Sequence, residues 1–162
     1  MNTDEKIMAL SWKEPFATLM LHGKIETRTW NTNYRGLVLI CASQTPYAEK
    51  VVRAICGDRL VNSIKELFER LNICLHHGQA IAVGRLVDSR PMTLEDEDKC
   101  FVQYRPAWKD TKKSKDGSLR YVTKRLYCHV YEDVRKIKPF PWKGCQGWKK
   151  VDQQTIDQIV FE

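Results

Sequence analysis

Leu37 to Cys41 reads Leu-Val-Leu-Ile-Cys, an apolar, β-rich run that predicts a buried strand and so commits the chain to a sheet. Just before it, Lys24 to Trp30 alternates in character. On a strand, Lys24, Glu26, Arg28 and Trp30 would line one side, with Ile25, Thr27 and Thr29 on the other. Asn31 to Gly36 reads as a polar connection. The two segments predict an antiparallel ribbon that presents an acid, two or three bases and an indole at one place. A competing reading makes this a solvated strand face, where Glu26 and Arg28 pair weakly with neighbours and Trp30 belongs to the core.

A chain of 162 residues is the size of one domain with a sizeable core. No apolar run is long enough to span a bilayer. The polar, acidic amino terminus does not resemble a secretory signal, so a cytoplasmic location is expected. Six cysteines are scattered without a Cys-x-x-Cys pair. In that compartment they read as reduced thiols, Cys41 and Cys128 as small core residues. Cys74-x-His76-His77 lacks a second ligand pair at zinc-finger spacing, and no metal site or cofactor is expected.

The net charge is +7. A basic balance suits a polyanionic partner, and its distribution says more. Lys109, Lys112, Lys113, Lys115, Arg120, Lys124 and Arg125 face only Asp110 and Asp116 within one stretch. Aromatic residues are interleaved from Cys100 onward: Phe101, Tyr104, Trp108 and Tyr121. Cations with flat rings are what single-stranded nucleic acid asks for. A flexible, solubilising lysine-rich loop is the alternative. Lys112 to Gly117 reads as the exposed turn of a hairpin within an inserted arm of about residues 100–125.

In chain order, Lys6 to Leu10 predicts a first strand. Ser11-x-x-Glu14 has capping-box spacing, with Pro15 in the first helical turn and Gly23 as a C-terminal stop. Free amides at that helix start would offer an anion site near Trp12, unless Ser11 satisfies them. Tyr47 to Cys56 predicts a helix. Leu60 to Leu75 predicts a second, with Val61, Ile64, Leu67, Phe68 and Leu71 in one core-facing stripe and Gly78 ending it. Gln79 to Asp88 predicts a buried strand broken by Ser89-Arg90-Pro91. Thr93 would cap an acidic helix start. Leu126 to Val134 returns to the sheet, and Asp152 to Phe161 predicts a short helix.

The sequence has no Gly-x-Ser-x-Gly elbow, no phosphate-binding loop ending in Gly-Lys-Ser/Thr and no His-Glu-x-x-His. Gly144 to Gly147 is a glycine turn that would let backbone approach a ligand closely.

Several linked segments nonetheless form a recognisable series. They are Ser11-Trp12-x-x-Pro15-Phe16-Ala17, Leu19-Met20-Leu21-x-Gly23, Ile25-Glu26-x-Arg28-x-Trp30, Tyr34-Arg35-Gly36 and Ile40-x-Ala42-Ser43. Ala82 to Leu86 and Pro139 to Trp148 follow in order. Together they resemble an ASCH domain of the PUA-like β-barrel superfamily, from about Leu10 to Val151. One departure stands out: the family pattern Gly-x-Lys-x-x-Glu-x-Arg is two residues shorter here, Gly23 being followed directly by Lys24.

The resemblance implies an α+β fold, a mixed or antiparallel barrel of about five to six strands with flanking helices, in a single domain. It implies an RNA- or nucleotide-binding cleft formed by Trp12, Glu26, Arg28, Trp30, Arg35, Ser43 and the turn containing Gly144, Gln146 and Gly147. Arg28 or Arg35 would fork onto phosphate and Trp12 or Trp30 would stack a base. The ligand would be single-stranded RNA or a nucleotide-like small molecule. Some small ASCH-like proteins instead hydrolyse acylated cytidines such as N4-acetylcytidine. In that reading Lys24 and Glu26 would be catalytic, on an acyl amide or on an RNA phosphodiester, although the family's threonine falls on Glu26. A third reading is a protein-interaction adaptor that uses the basic arm.

Overall fold

The computed structural model describes residues 4–162. The reading of the amino terminus falls in part on residues 1–3, outside the described residues. No helix among those described is long and apolar enough to cross a membrane.

The fold is α+β. Ile7–Trp12 forms β1, which reaches two residues beyond the expected end. Ser11 is therefore inside the sheet and caps nothing. Phe16–Leu19 forms α1, extended by a 3-10 turn over Met20–His22 and stopped by Gly23 at φ 82°. Two amides at the helix start are taken by other groups: Phe16 N–H donates to the Lys13 carbonyl and Thr18 N–H to Glu14 Oε2.

The strand expected over Lys24–Trp30 is only Glu26–Arg28, β2, and Gly36–Ala42 forms β3. The expected ribbon between them does not form. Both edges of β3 are occupied, by β1 in parallel and by β4 (Gln79–Pro91) in antiparallel. β2 pairs instead with β7 (Tyr127–Pro141), Glu26 opposite His129 and Arg28 opposite Tyr127. With β8 (Lys149–Lys150) the six-stranded sheet runs β2-β7-β4-β3-β1-β8.

Helices α2 (Glu49–Cys56) and α3 (Asp58–Leu71) connect β3 to β4. Asn72, left-handed at φ 49°, ends α3 six residues before the expected Gly78. β4 continues through Ser89 and Arg90, with Pro91 tolerated as its last residue. Thr93 caps the turn before α4 (Glu97–Cys100) as expected, here in a reciprocal capping box with Asp96. β5 (Trp108–Lys113) and β6 (Leu119–Lys124) form a hairpin outside the main sheet. Gln153–Ile156 is the short closing helix α5.

The central strands alternate between two apolar layers. Leu10, Trp12, Val38, Ile40 and Ala42 face one layer with α1, α2 and α3. Ile7, Ala9, Leu37, Leu39 and Cys41 face the other, covered by Trp142, Ile156, Ile159 and Phe161. This explains why the Leu37–Cys41 run has no polar face.

Three register shifts between β4 and β7 break the ladder, and such irregularities bend and twist the paired strands. At one of them β7 crosses Gly84 so closely that a Cβ there would lie 2.9 Å from Val134 Cγ2. The sheet accordingly curls into a half-barrel. Its edges, β2 and β8, are not paired with each other. Side chains bridge the gap: the Trp30 and Trp148 rings meet edge-on at 5.9 Å, and Tyr34 lies 5.1 Å from Trp148. A seam closed by rings in place of a backbone ladder runs along this side of the molecule.

Candidate functional site: a cleft at the seam

A cleft of about 530 Å³ opens in the seam. β1 contributes Ser11 and Trp12, β2 contributes Glu26 to Arg28, and the turn before β8 contributes Cys145 to Gly147. This volume is in the range of small-molecule sites.

Three charged residues organise its wall. Lys24 is buried; its Nζ lies 3.2 Å from Glu26 Oε1 and donates to the Ile25 carbonyl at 3.0 Å. Glu26 Oε1 also accepts the Thr27 N–H at 2.7 Å. Glu26 Oε2 faces Arg28 Nη2 at 3.6 Å, and that same nitrogen donates to the Ser11 carbonyl across the seam at 3.0 Å. Side-chain exposure rises from 0% for Lys24 and 6% for Glu26 to 22% for Arg28. Arg28 is thus the member of the trio offered to the cleft. Its guanidinium carbon lies 5.1 Å from the Trp12 ring centre and 5.9 Å from that of Trp30, within cation–π range of both.

Behind this wall, His129 is fully buried and its Nε2 is 2.9 Å from the Trp30 carbonyl. A carbonyl only accepts, so Nε2 carries the proton. Burial holds the imidazole below its ordinary pKa, only partly opposed by the Trp30 carbonyl and Glu26. Burial also pushes the Tyr131 phenol well up. Among the described residues, the buried side-chain polar atoms without a protein partner are Trp12 Nε1, Arg28 Nε, His129 Nδ1 and Tyr131 Oη. All four belong to residues of this site or in contact with it. Buried polar groups are nearly always paired, so their concentration here marks the place where packing yields to another requirement.

The structure gathers most of the residues expected at the site. Trp12, Glu26, Arg28, Trp30, Ser43, Gln146 and Gly147 line the cleft, together with Lys24. Gly144 lies on the far side of the turn, in an adjoining groove. Arg35 does not line the cleft; its Nη1 donates to the carbonyls of Thr32 and Tyr34, and it is exposed. Trp12 is only 2% exposed and offers no free face for stacking, whereas Trp30 is half-buried. Lys13, Phe16 and Tyr47 also line the cleft and were not anticipated. Lys13 follows Trp12 directly, and the contact between the Phe16 and Tyr47 rings brings the other two there.

The seven arm residues stand apart. None lines the cleft. The hairpin register puts Lys112, Arg120 and Lys124 on one face, with Lys109 and Lys113 on the other. Lys124 is paired with Asp110 at 2.9 Å. Lys115 lies in the turn, and Arg125 follows β6 beside a small pocket with Arg105. The basic stretch therefore forms no single continuous stripe. The face carrying Lys109 and Lys113 also exposes Leu119 and Tyr121.

The six cysteines are free thiols, with Cys41 and Cys128 buried as expected. Cys74 is exposed, while the His76 ring nitrogen Nδ1 pairs with Gln79 Oε1. Among the described residues no three His, Cys, Asp or Glu side chains are grouped to hold a metal. The sequence matches no protein-family model and no curated protein.

Proposed function

We propose that the chain is an ASCH-type module of the PUA-like superfamily whose seam cleft binds one nucleotide, free or within single-stranded RNA. The observation that carries this reading is the setting of Arg28. It is a partly exposed guanidinium held between two indoles, anchored by Glu26 and the Ser11 carbonyl, with Nε unpartnered. Such a group takes a phosphate or a base edge, and Trp30 beside it takes the base face. The cleft lining holds Lys13, Lys24 and Arg28 against one carboxylate, Glu26, which favours an anionic ligand.

Hydrolysis is less well supported. Lys24 and Glu26, the residues it would use, are engaged with each other and almost fully buried. Their geometry suits holding Arg28 better than reaching a substrate.

The test is binding of a mixed-sequence single-stranded RNA and of nucleoside 5′-monophosphates to wild type and Arg28→Ala. Losing a charge-assisted hydrogen-bonding group weakens binding by roughly tenfold or more, and the RNA is recovered intact. Binding indifferent to Arg28→Ala removes the cleft from the account. Release of free acid from an N4-acylated cytidine, abolished by Lys24→Ala, would replace binding with hydrolysis.

A further inference from the structure

On the other side of the Gly144–Gln146 turn lies a second cavity, a groove of about 750 Å³ walled by Trp142 and Lys143. Cleft and groove share Ser11, Lys13, Ser43, Cys145 and Gln146, so they adjoin across one turn. The turn sits close on β1: a Cβ on Gly144 would come within 2.9 Å of Ser11 Oγ. Glycine there lets the main chain lie low between the two cavities.

The charge of the groove is one-sided. Its lining contains Lys13 and Lys143 and no carboxylate. Both lysines are exposed, and among the described residues neither forms a salt bridge; Lys13 lies over the Tyr47 ring at 5.1 Å. Trp142 is held as a wall: its backbone N–H donates to the Gly78 carbonyl, its side chain packs on the second core layer, and Lys149 lies over its ring at 5.1 Å. An apolar wall and two cations without a carboxylate partner, beside a nucleotide-sized cleft, fit a neighbouring phosphate and its sugar.

We propose that this groove is a second nucleotide subsite, which binds the phosphodiester next to the nucleotide in the cleft through Lys13 and Lys143. The inference rests on the reading of the cleft given above. It routes a single-stranded RNA across the Gly144–Gln146 turn and away from the β5–β6 hairpin. Lys13 lines both cavities and Lys143 only the groove, which makes Lys143 the informative position.

The experiment compares a mixed-sequence RNA decamer with nucleoside 5′-monophosphates, across salt concentrations, for wild type, Lys143→Glu and the hairpin double variant Lys112→Ala/Lys113→Ala. Lys143→Glu is expected to weaken the decamer roughly five- to tenfold at low salt. It also lowers the salt slope by about 0.7, the value for one phosphate on a single strand. Mononucleotide binding is unchanged, and the hairpin variant matches wild type in both. A decamer indifferent to Lys143→Glu, or one weakened only by the hairpin variant, overturns the subsite while leaving the cleft standing. A decamer bound no more tightly than a mononucleotide by wild type does the same. Failure of both ligands to bind wild type, or binding indifferent to Arg28→Ala, brings down the cleft reading and the subsite with it.

Discussion

At the residue scale, His129 shows how a buried group positions an aromatic wall. Its Nε2–H holds the Trp30 carbonyl, and its burial favours the neutral ring. The unfolded chain, with an ordinary imidazole near pH 6.5, takes up a proton that the folded chain resists. Stability attached to this residue is therefore complete above about pH 6.5 and declines as the pH falls. The limit is about 1.4 kcal/mol per pH unit for one proton. Glutamine places a donor near the position of Nε2 without titrating. Denaturant midpoints at pH 7.5 and 5.5 are expected to diverge less for His129→Gln than for wild type. Equal divergence would assign the acid sensitivity to other groups, among them His22, whose pKa burial also lowers.

At the scale of elements, the segment from Thr93 to Cys100 acts as a buttress for β2. Its anchor is Asp96, whose two oxygens take a fork from Arg90 at 2.8 Å each and the Thr93 N–H and hydroxyl besides. The Arg90 guanidinium holds the Asp96 carboxyl well below the usual range. Its contribution is thus present above the ordinary aspartate pKa near 4 and is lost only as the pH falls towards the depressed value. From the end of this segment the Lys99 carbonyl accepts the Ile25 N–H at 2.9 Å, next to Glu26. Asp96→Ala is expected to cost about 2 kcal/mol in urea denaturation at pH 7, discounted for the partly exposed Arg90. The loss should shrink towards pH 3. A cost below a few tenths would mean that the cap and fork are ornamental.

At the scale of the whole molecule, the curl of the sheet makes the site. Trp148 supports Trp30 from the opposite edge, so Trp148→Ala should lower stability by about 2 kcal/mol, less than for a fully buried indole. Far-UV circular dichroism should stay unchanged because no backbone pair crosses the seam. Loss of strand signal would contradict that description.

What the sequence revealed follows the same divide between local and distant. The hairpin was legible because both strands and their turn lie within 17 residues, Trp108 to Lys124. The alternation of Lys24, Glu26, Arg28 and Trp30 pointed to four residues that line one cleft, although only Glu26–Arg28 is strand. The partner of β2 was not legible. Its pairing with Cys128 and His129 spans a hundred residues, and periodicity carries no information about which ladder edge is vacant. Ser11 misled for the same reason: capping-box spacing is local, whereas β3 pairs β1 onward through Ser11 and Trp12. Arg35, within one of the segments that carry the resemblance, turns outward onto its own loop carbonyls.

The ring-closed seam has a kinetic consequence. No ladder of the half-barrel depends on whether Trp30 and Trp148 touch, so a ligand entering the proposed cleft requires no strand to part from another. What closes the seam is a contact between side chains, whose rotamers exchange far faster than sheets unzip. Association at such a doorway is governed by collision and orientation, not by waiting for the protein to open.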